Sequence, residues 1–172
     1  MVEQSEHLHV AKAGADLEFQ VFFRAWYPRL ARAALLLSGN RLEAEDIAQE
    51  AFVRVYERWE TVRNMASPAG YLFRTALNLN RKRIRWSLVR RRLLFAREPD
   101  SDPSSAVEAK NRVLTALSSL PAGQRQALVL VEWLGLDPEE AGRILGIKAA
   151  TVRVRMHRGR SALRRQFGEE IK

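Results

Sequence analysis

The sequence predicts an all-α protein built from two small helical domains joined by a flexible linker, and three observations predict it. Apolar residues recur at three- and four-residue steps in one stretch after another, the spacing that gathers them on one face of a helix. The N-terminal half shows no alternating strand pattern. The run Glu98-Pro-Asp-Ser-Asp-Pro-Ser-Ser105 divides the helical blocks and is too poor in apolar side chains to bury a core of its own.

Taken in order, Met1 to Ala15 is polar, shows no sustained period and reads as a disordered, frayed arm. From Leu17 to Leu37, Phe19, Phe22, Phe23, Trp26, Leu30, Ala34 and Leu37 mark an amphipathic helix that Pro28 is placed to kink or divide. Ser38-Gly-Asn40 forms a turn. A second helix runs from about Leu42 to Trp59, apolar through Ile47, Ala51, Phe52, Val55 and Trp59, polar through Asp46, Gln49, Glu50 and Glu57. Thr61 to Pro68 reads as a loop, and Pro68 opens a third helix to about Arg85. Phe73, Ala76, Leu77, Asn80 and Ile84 share one side of it, while Arg74, Asn78, Arg81 and Arg85 form a basic stripe on the other. Helical periodicity resumes near Val107 with Val113, Leu114, Leu117 and Leu120, breaks at Pro121, and continues from about Ala122 to Leu134. Asp137 is placed to cap a short helix from Pro138 to Leu145. The implied organisation is an arm over 1–15, a domain over 16–90, a linker over 91–108, a second domain over 109–168 and a tail over 169–172.

Charge narrows the partners. The 172 residues carry a net charge of +9, and the chain has a pI near 10.7, which attracts a polyanion. From Arg63 to Arg97 there are ten bases and no acid, and Lys148 to Arg165 is a second acid-free block. Acids gather at Glu43, Glu45, Asp46 and Glu50, and again at Glu98, Asp100 and Asp102, so more than one kind of partner is expected. The absence of Cys excludes disulfides, thiolate metal sites and a Cys nucleophile, and fits a reducing compartment. Cytoplasm is the default, since the start lacks the basic and apolar regions of an export signal and no apolar run approaches the length of a membrane span. An enzyme acting on nucleic acid is disfavoured: there is no Gly-rich phosphate loop, no His or Cys metal spacing and no Ser-His-Asp constellation, and His7 with His9 are too few to ligate a metal. No cofactor, metal or small-molecule substrate is expected.

The strongest motif is a helix-turn-helix over Glu139 to Arg160. A short helix ends at Leu145, Gly146 permits a sharp turn, Ile147 plugs the crossing, and a longer helix begins near Ala149. Val152, Met156, Gly159 and Leu163 form its buried seam, leaving Arg153, His157, Arg158 and Arg160 on the open side, where guanidinium groups can meet guanine edges or phosphates in a major groove. The bland alternative is a solvated arginine-rich face.

Two blocks then carry a family resemblance. Ala44-Glu-Asp-Ile-Ala-Gln-Glu-Ala-Phe-Val-Arg-Val-Tyr-Glu-Arg-Trp59, followed by Tyr71-Leu-Phe-Arg-Thr-Ala-Leu-Asn78, resembles region 2 of extracytoplasmic-function sigma factors of RNA polymerase. Leu117-Ser-Ser-Leu-Pro-Ala-Gly-Gln-Arg-Gln-Ala-Leu-Val-Leu130 with the helix-turn-helix resembles their region 4. The resemblance runs from Phe19 to Leu163 and is closest to the SigE-like subgroup of actinobacteria.

It implies a subunit that binds core RNA polymerase and directs promoter-specific initiation. Asp46, Gln49 and Glu50 match the helix that docks on the clamp coiled coil of the large polymerase subunit. Arg63, Asn64, Met65, Ala66 and Ser67 match the loop that takes a flipped base of the minus-10 element, with Arg74, Asn78, Arg81 and Arg85 holding the melted strand's upstream edge. Arg153, Val154, His157 and Arg158 match minus-35 readers, with Lys148, Thr151, Arg155 and Arg160 beside them and Arg155 and Arg160 directed at phosphates. Region 4 would also meet the polymerase flap, and an anti-sigma protein could clamp the two domains. The linker's Asp100 and Asp102 would either enter the polymerase cleft or form a spacer that touches nothing. Trp59, Tyr71 and Trp86 are either stacking platforms or core. Three departures from the family stand out: Lys148 replaces a small capping hydroxyl, Ala141 and Gly142 are expected to thin the seam between the two helices, and Lys82 adds to the basic stripe. The rival reading from the residues alone is a conventional regulator with the same helix-turn-helix, which would need an effector or phosphoacceptor domain that the N-terminal half does not suggest.

Overall fold

The longest helix, Val2–Ser38 (α1), forms one wall of the N-terminal bundle and runs unbroken through Pro28. A proline inside a helix costs about 3 kcal/mol, and here packing outweighs it: Leu30, Ala33, Ala34 and Leu37, the turns after the proline, are all buried. The structure, a computed structural model, describes the backbone of residues 2–93 and 105–169 and the side chains of residues 14–83 and 112–167. Residues 2–15, read from sequence as a frayed arm, are helical in the structure. That stretch holds three alanines with Glu3, Glu6, Leu8 and Lys12, which favour helix, and has no proline. It is anchored where it reaches the bundle, because Ala15 is buried, the Tyr56 hydroxyl donates to Asp16 at 3.0 Å and Arg63 donates to Glu18 at 3.0 Å.

Gly39, at φ 73°, turns the chain into Arg41–Tyr56 (α2), whose first turn is capped by the Asn40 side chain accepting from the Glu43 N–H at 3.1 Å. The helix ends at Tyr56, and a separate turn, Trp59–Val62 (α3), follows where a single helix to Trp59 was expected. Pro68–Leu93 (α4) starts at the predicted proline and continues beyond Arg85. Helices α1, α2 and α4 enclose an aromatic core in which Phe19 and Phe22 pack on Trp59 and on Phe52, with Phe19 edge-on to the Trp59 ring at 5.3 Å and Phe73 of α4 edge-on to Trp26. Trp59 is therefore core; Tyr71 is half-buried, and the Trp86 side chain lies outside the described residues.

The second domain comprises Ser105–Ser119 (α5), Ala122–Leu128 (α6), a π-helical turn over Val129–Trp133, Pro138–Leu145 (α7) and Ala149–Glu169 (α8). The π turn interrupts the expected helix to Leu134: the Leu134 N–H donates to the Val129 carbonyl, five residues back, at 3.1 Å. Asp137 caps α7 by accepting from the Glu140 N–H at 2.7 Å, and Gly146 closes it in the left-handed region at φ 71°. Gly142 does not thin the helix crossing. It makes the crossing close, since a Cβ there would stand 2.7 Å from the Ile147 carbonyl oxygen. Gly159 plays the same part on α8, against Leu128.

The two domains pack directly on each other. Val129 and Leu130, each 1% exposed, insert between Leu30, Ala33, Ala34 and Leu37 of α1 and Phe73, Ala76 and Leu77 of α4. Burying a side chain of this size contributes about 1.5–3 kcal/mol. Asn80 and Gln126 are the buried polar residues of the described core, and Arg81 donates to Gln126 at 3.3 Å.

Candidate nucleic-acid interface

The residues singled out from sequence fall on three surfaces. On α2, Asp46 and Gln49 are exposed and Glu50 half-exposed, one turn apart on the side facing away from Ile47, Ala48 and Ala51. Their carboxylates already have partners. Arg83 of α4 donates to Asp46 at 3.2 Å and lies 3.5 Å from Glu50, which Arg54 also meets at 2.7 Å. Arg83 went unremarked in the sequence beyond its place in a basic run, and only the packing of α4 on α2 reveals what it touches.

The second surface is the loop after α3 with the polar stripe of α4. Arg63 is half-buried and bridges Glu18 at 3.0 Å and Glu60 at 2.9 Å. The Glu18 hydrogen bond holds its guanidinium above the ordinary range, against the opposing effect of burial. Asn64 donates to the Glu60 carbonyl at 2.8 Å, Met65 and Ala66 are exposed, and the Ser67 hydroxyl accepts from the Gly70 N–H at 3.0 Å, capping α4. The loop opens on a cleft of about 510 Å³ with Trp26 and Tyr71 on one wall and Leu136 and Ile144 on the other. The described members of the stripe are exposed, and two of them reach across to the second domain. Arg74 donates to the Arg143 carbonyl of α7 and Arg81 to Gln126 of α6, and both, like Asn78, remain exposed. The Arg85 side chain, like those of His7 and His9 and the linker acids Asp100 and Asp102, lies outside the described residues.

The third surface is the outer side of α8. Val152, Met156 and Gly159 are buried and Leu163 half-buried, as the spacing requires. Lys148, Thr151, Arg153, Val154, His157, Arg158 and Arg160 are exposed. Val154 is 50% exposed, an apolar side chain suited to a thymine methyl. Lys148 precedes the helix, its carbonyl accepting from the Thr151 and Val152 N–H groups at 2.9 and 3.2 Å. Its ammonium has only donors, so it cannot cap α8 as a hydroxyl would. Arg155 is half-buried and lies over Gly123 of α6, where a Cβ would come within 3.1 Å of the guanidinium. Arg153 meets Glu139 of α7 at 2.5 Å and Arg160 meets Glu132 of the π turn, two carboxylates that the sequence reading did not single out. Glu139 is visible in sequence only as a first-turn acid. Burial lowers Arg125 below the ordinary guanidinium range.

Comparison with known proteins matches both domains. The sigma-70 region 2 family matches residues 22–87, and the sigma-70 region 4 family matches residues 110–163. The ECF RNA polymerase sigma factor SigE of Mycolicibacterium smegmatis is 39% identical over 149 residues, 79% of this chain and 56% of that protein, so the chain spans little more than half of that relative. The RNA polymerase sigma-E factor of Streptomyces coelicolor is 31% identical over 159 residues, 90% of this chain and 88% of the other. SigW of Bacillus subtilis is 33% identical over 155 residues, covering 75% and 78%. Among solved structures, the sigma factor RpoE of Bartonella quintana in complex with the anti-sigma factor NepR superposes with a TM-score of 0.74 at 22% identity over 88% of this chain and 97% of that one, a likeness of fold. Among the described residues no helix is long and apolar enough to cross a membrane.

Proposed function

The chain belongs to the extracytoplasmic-function family of RNA polymerase sigma factors, and from that membership we propose a division of labour among its three surfaces. The acidic face of α2 docks on the clamp of core polymerase. The Arg63–Ser67 loop and α4 engage the melted minus-10 strand, and α8 reads the minus-35 element as duplex, with region 4 also meeting the flap. The domains responsible span 16–90 and 109–168, and the protein acts in the cytoplasm as an initiation factor rather than a catalyst.

The observation that carries this reading is the two-sided character of α8, with a buried seam on one side and an acid-free row of Arg153, Val154, His157 and Arg158 on the other. Such a row neutralises phosphates and offers donors to base edges. The acidic face on α2 suits a basic partner helix, and Asp46 must exchange Arg83 for that partner when polymerase binds. Full engagement of the stripe would draw Arg74 and Arg81 away from α7 and α6, to which they donate in the free chain, so that the domains part on loading. The structural relative solved with an anti-sigma factor supports a further partner of that class, one that holds the two domains together.

Asp46→Ala with Gln49→Ala tests the docking face, and Arg153→Ala tests the reader. The first should weaken binding to core polymerase while leaving duplex binding intact; the second should weaken minus-35 recognition with polymerase affinity unchanged. Equal loss of the same activity in both variants contradicts the division.

A further inference from the structure

We infer that Glu139 is a positioning residue that determines the sequence selectivity of the recognition helix, holding Arg153 so that its contact depends on the base it meets. The inference rests on the reading of α8 as the duplex reader. Arg153 lies in the second turn of α8 and projects from its exposed side, with no acid in its own helix from Lys148 to Arg165 to restrain it. The restraint comes from another element. Glu139 sits in the first turn of α7, which Asp137 caps and which packs against α8 through the close crossing at Gly142. One oxygen of Glu139 accepts from Nη2 of Arg153 at 2.5 Å.

A guanidinium has five donors arranged on two edges, so a carboxylate bound through one nitrogen leaves one edge whole. That remaining edge can form the two parallel bonds to guanine O6 and N7, and it is aimed before DNA arrives. Both side chains are about half exposed, 57% for Arg153 and 52% for Glu139, so the pair adds little to fold stability and its effect falls on recognition. The carboxylate also disfavours misplacement: a helix seated out of register brings Glu139 towards phosphate, and the repulsion penalises the wrong site.

A second pair supplies the control. Arg160 lies seven residues after Arg153, two turns along the same face, and Glu132 accepts from its Nε and Nη2. Leu128, one turn before Glu132, packs on Gly159, which sets this carboxylate beside Arg160. Arg160 is the phosphate-directed member, so neutralising Glu132 changes the charge of the surface without touching the base reader.

The test uses the purified full chain and a minus-35 duplex selected from a random pool by its holoenzyme, together with single-base variants and a scrambled duplex. Glu139→Gln keeps the side chain's shape and removes its charge. It should reduce discrimination against the base variant opposite Arg153 about fivefold or more, within the range of one bidentate contact, and bind the scrambled duplex more tightly. Glu132→Gln should tighten all duplexes by a common factor and leave discrimination intact. The inference is overturned if Glu139→Gln also tightens every duplex equally, or if both variants lower discrimination alike. Arg153→Ala separates the two levels: if it abolishes discrimination while Glu139→Gln does not, only the role of Glu139 fails, and if it leaves discrimination intact, the reading of α8 fails as well.

Discussion

Replacing Gly142 by alanine sets two opposing effects against each other. In a helix interior, glycine to alanine gains up to about 1 kcal/mol from the lower backbone entropy of the unfolded chain. At this position the new Cβ would stand 2.7 Å from the Ile147 carbonyl oxygen and 3.4 Å from the Ala149 nitrogen. Both are backbone atoms of the turn, so no side-chain rotation relieves the clash. The turn must open, which strains the Ile147 N–H bond to the Gly142 carbonyl, 3.0 Å long, and tilts α8 away from α7. Overpacking of this kind costs about 1–3 kcal/mol, so the steric effect outweighs propensity and Gly142→Ala should destabilise the chain by about 1–2 kcal/mol. Gly14→Ala is the reference, because its Cβ would meet nothing within 4 Å and it should stabilise the chain modestly. Urea unfolding of both variants against the parent measures the difference. A stabilised Gly142→Ala protein would refute the close-crossing account of the helix-turn-helix.

Other expectations follow from the same contacts. Asp137→Ala removes the cap of α7 and should cost about 1 kcal/mol in the same unfolding assay. Leu130→Ala empties the seam between the domains and should cost about 2–5 kcal/mol, because the site is enclosed on three sides and cannot collapse. The Tyr56 phenol is held above its ordinary value of 10.0 by its hydrogen bond to Asp16 and by that carboxylate's charge. A raised folded value means the contact is intact below pH 10 and is lost as pH rises through that value; spectrophotometric titration should show Tyr56 ionising later than in an Asp16→Asn variant. Cysteines introduced at exposed Thr61 and Val154 of this cysteine-free chain, carrying a donor and an acceptor dye, should lose energy transfer when core polymerase is added, as the domains part. Unchanged transfer in the loaded complex would contradict the opening step.

Most of the helical architecture was legible because three- and four-residue periodicity reports burial directly. The spacing of Val152, Met156 and Gly159 identified the buried side of α8, and Asp137 with Pro138 identified the start of α7. What was not legible depended on contacts between distant segments. The helicity of residues 2–15 could not be read from periodicity, because their polar side chains form no stripe; the anchors at Asp16 and Glu18 belong to partners some forty residues away. The π turn left no mark in the apolar pattern, since Val129 and Leu130 are apolar residues that any buried helical turn would accept. Gly142 was misjudged as a loss of packing because sequence shows a missing side chain and hides the carbonyl that takes its place. The site was legible as residues and not as an arrangement: Arg74 and Arg81 were found, but their engagement with the second domain follows only from Val129 and Leu130 seating on α1 and α4. The ion pairs of Arg83, Arg153 and Arg160 join separate helices and carry no local signature.

The central claim is that this chain confers promoter selectivity on RNA polymerase through the surfaces described. Its most direct test is transcription in vitro with purified core polymerase, the purified chain and fragmented DNA of the host genome, with transcript starts mapped in the chain's presence and absence. The account predicts a discrete set of new starts sharing one upstream motif, and loss of that shared motif with Arg153→Ala. A correctly folded chain that binds core polymerase and yields no promoter-specific start anywhere in the genome would contradict it.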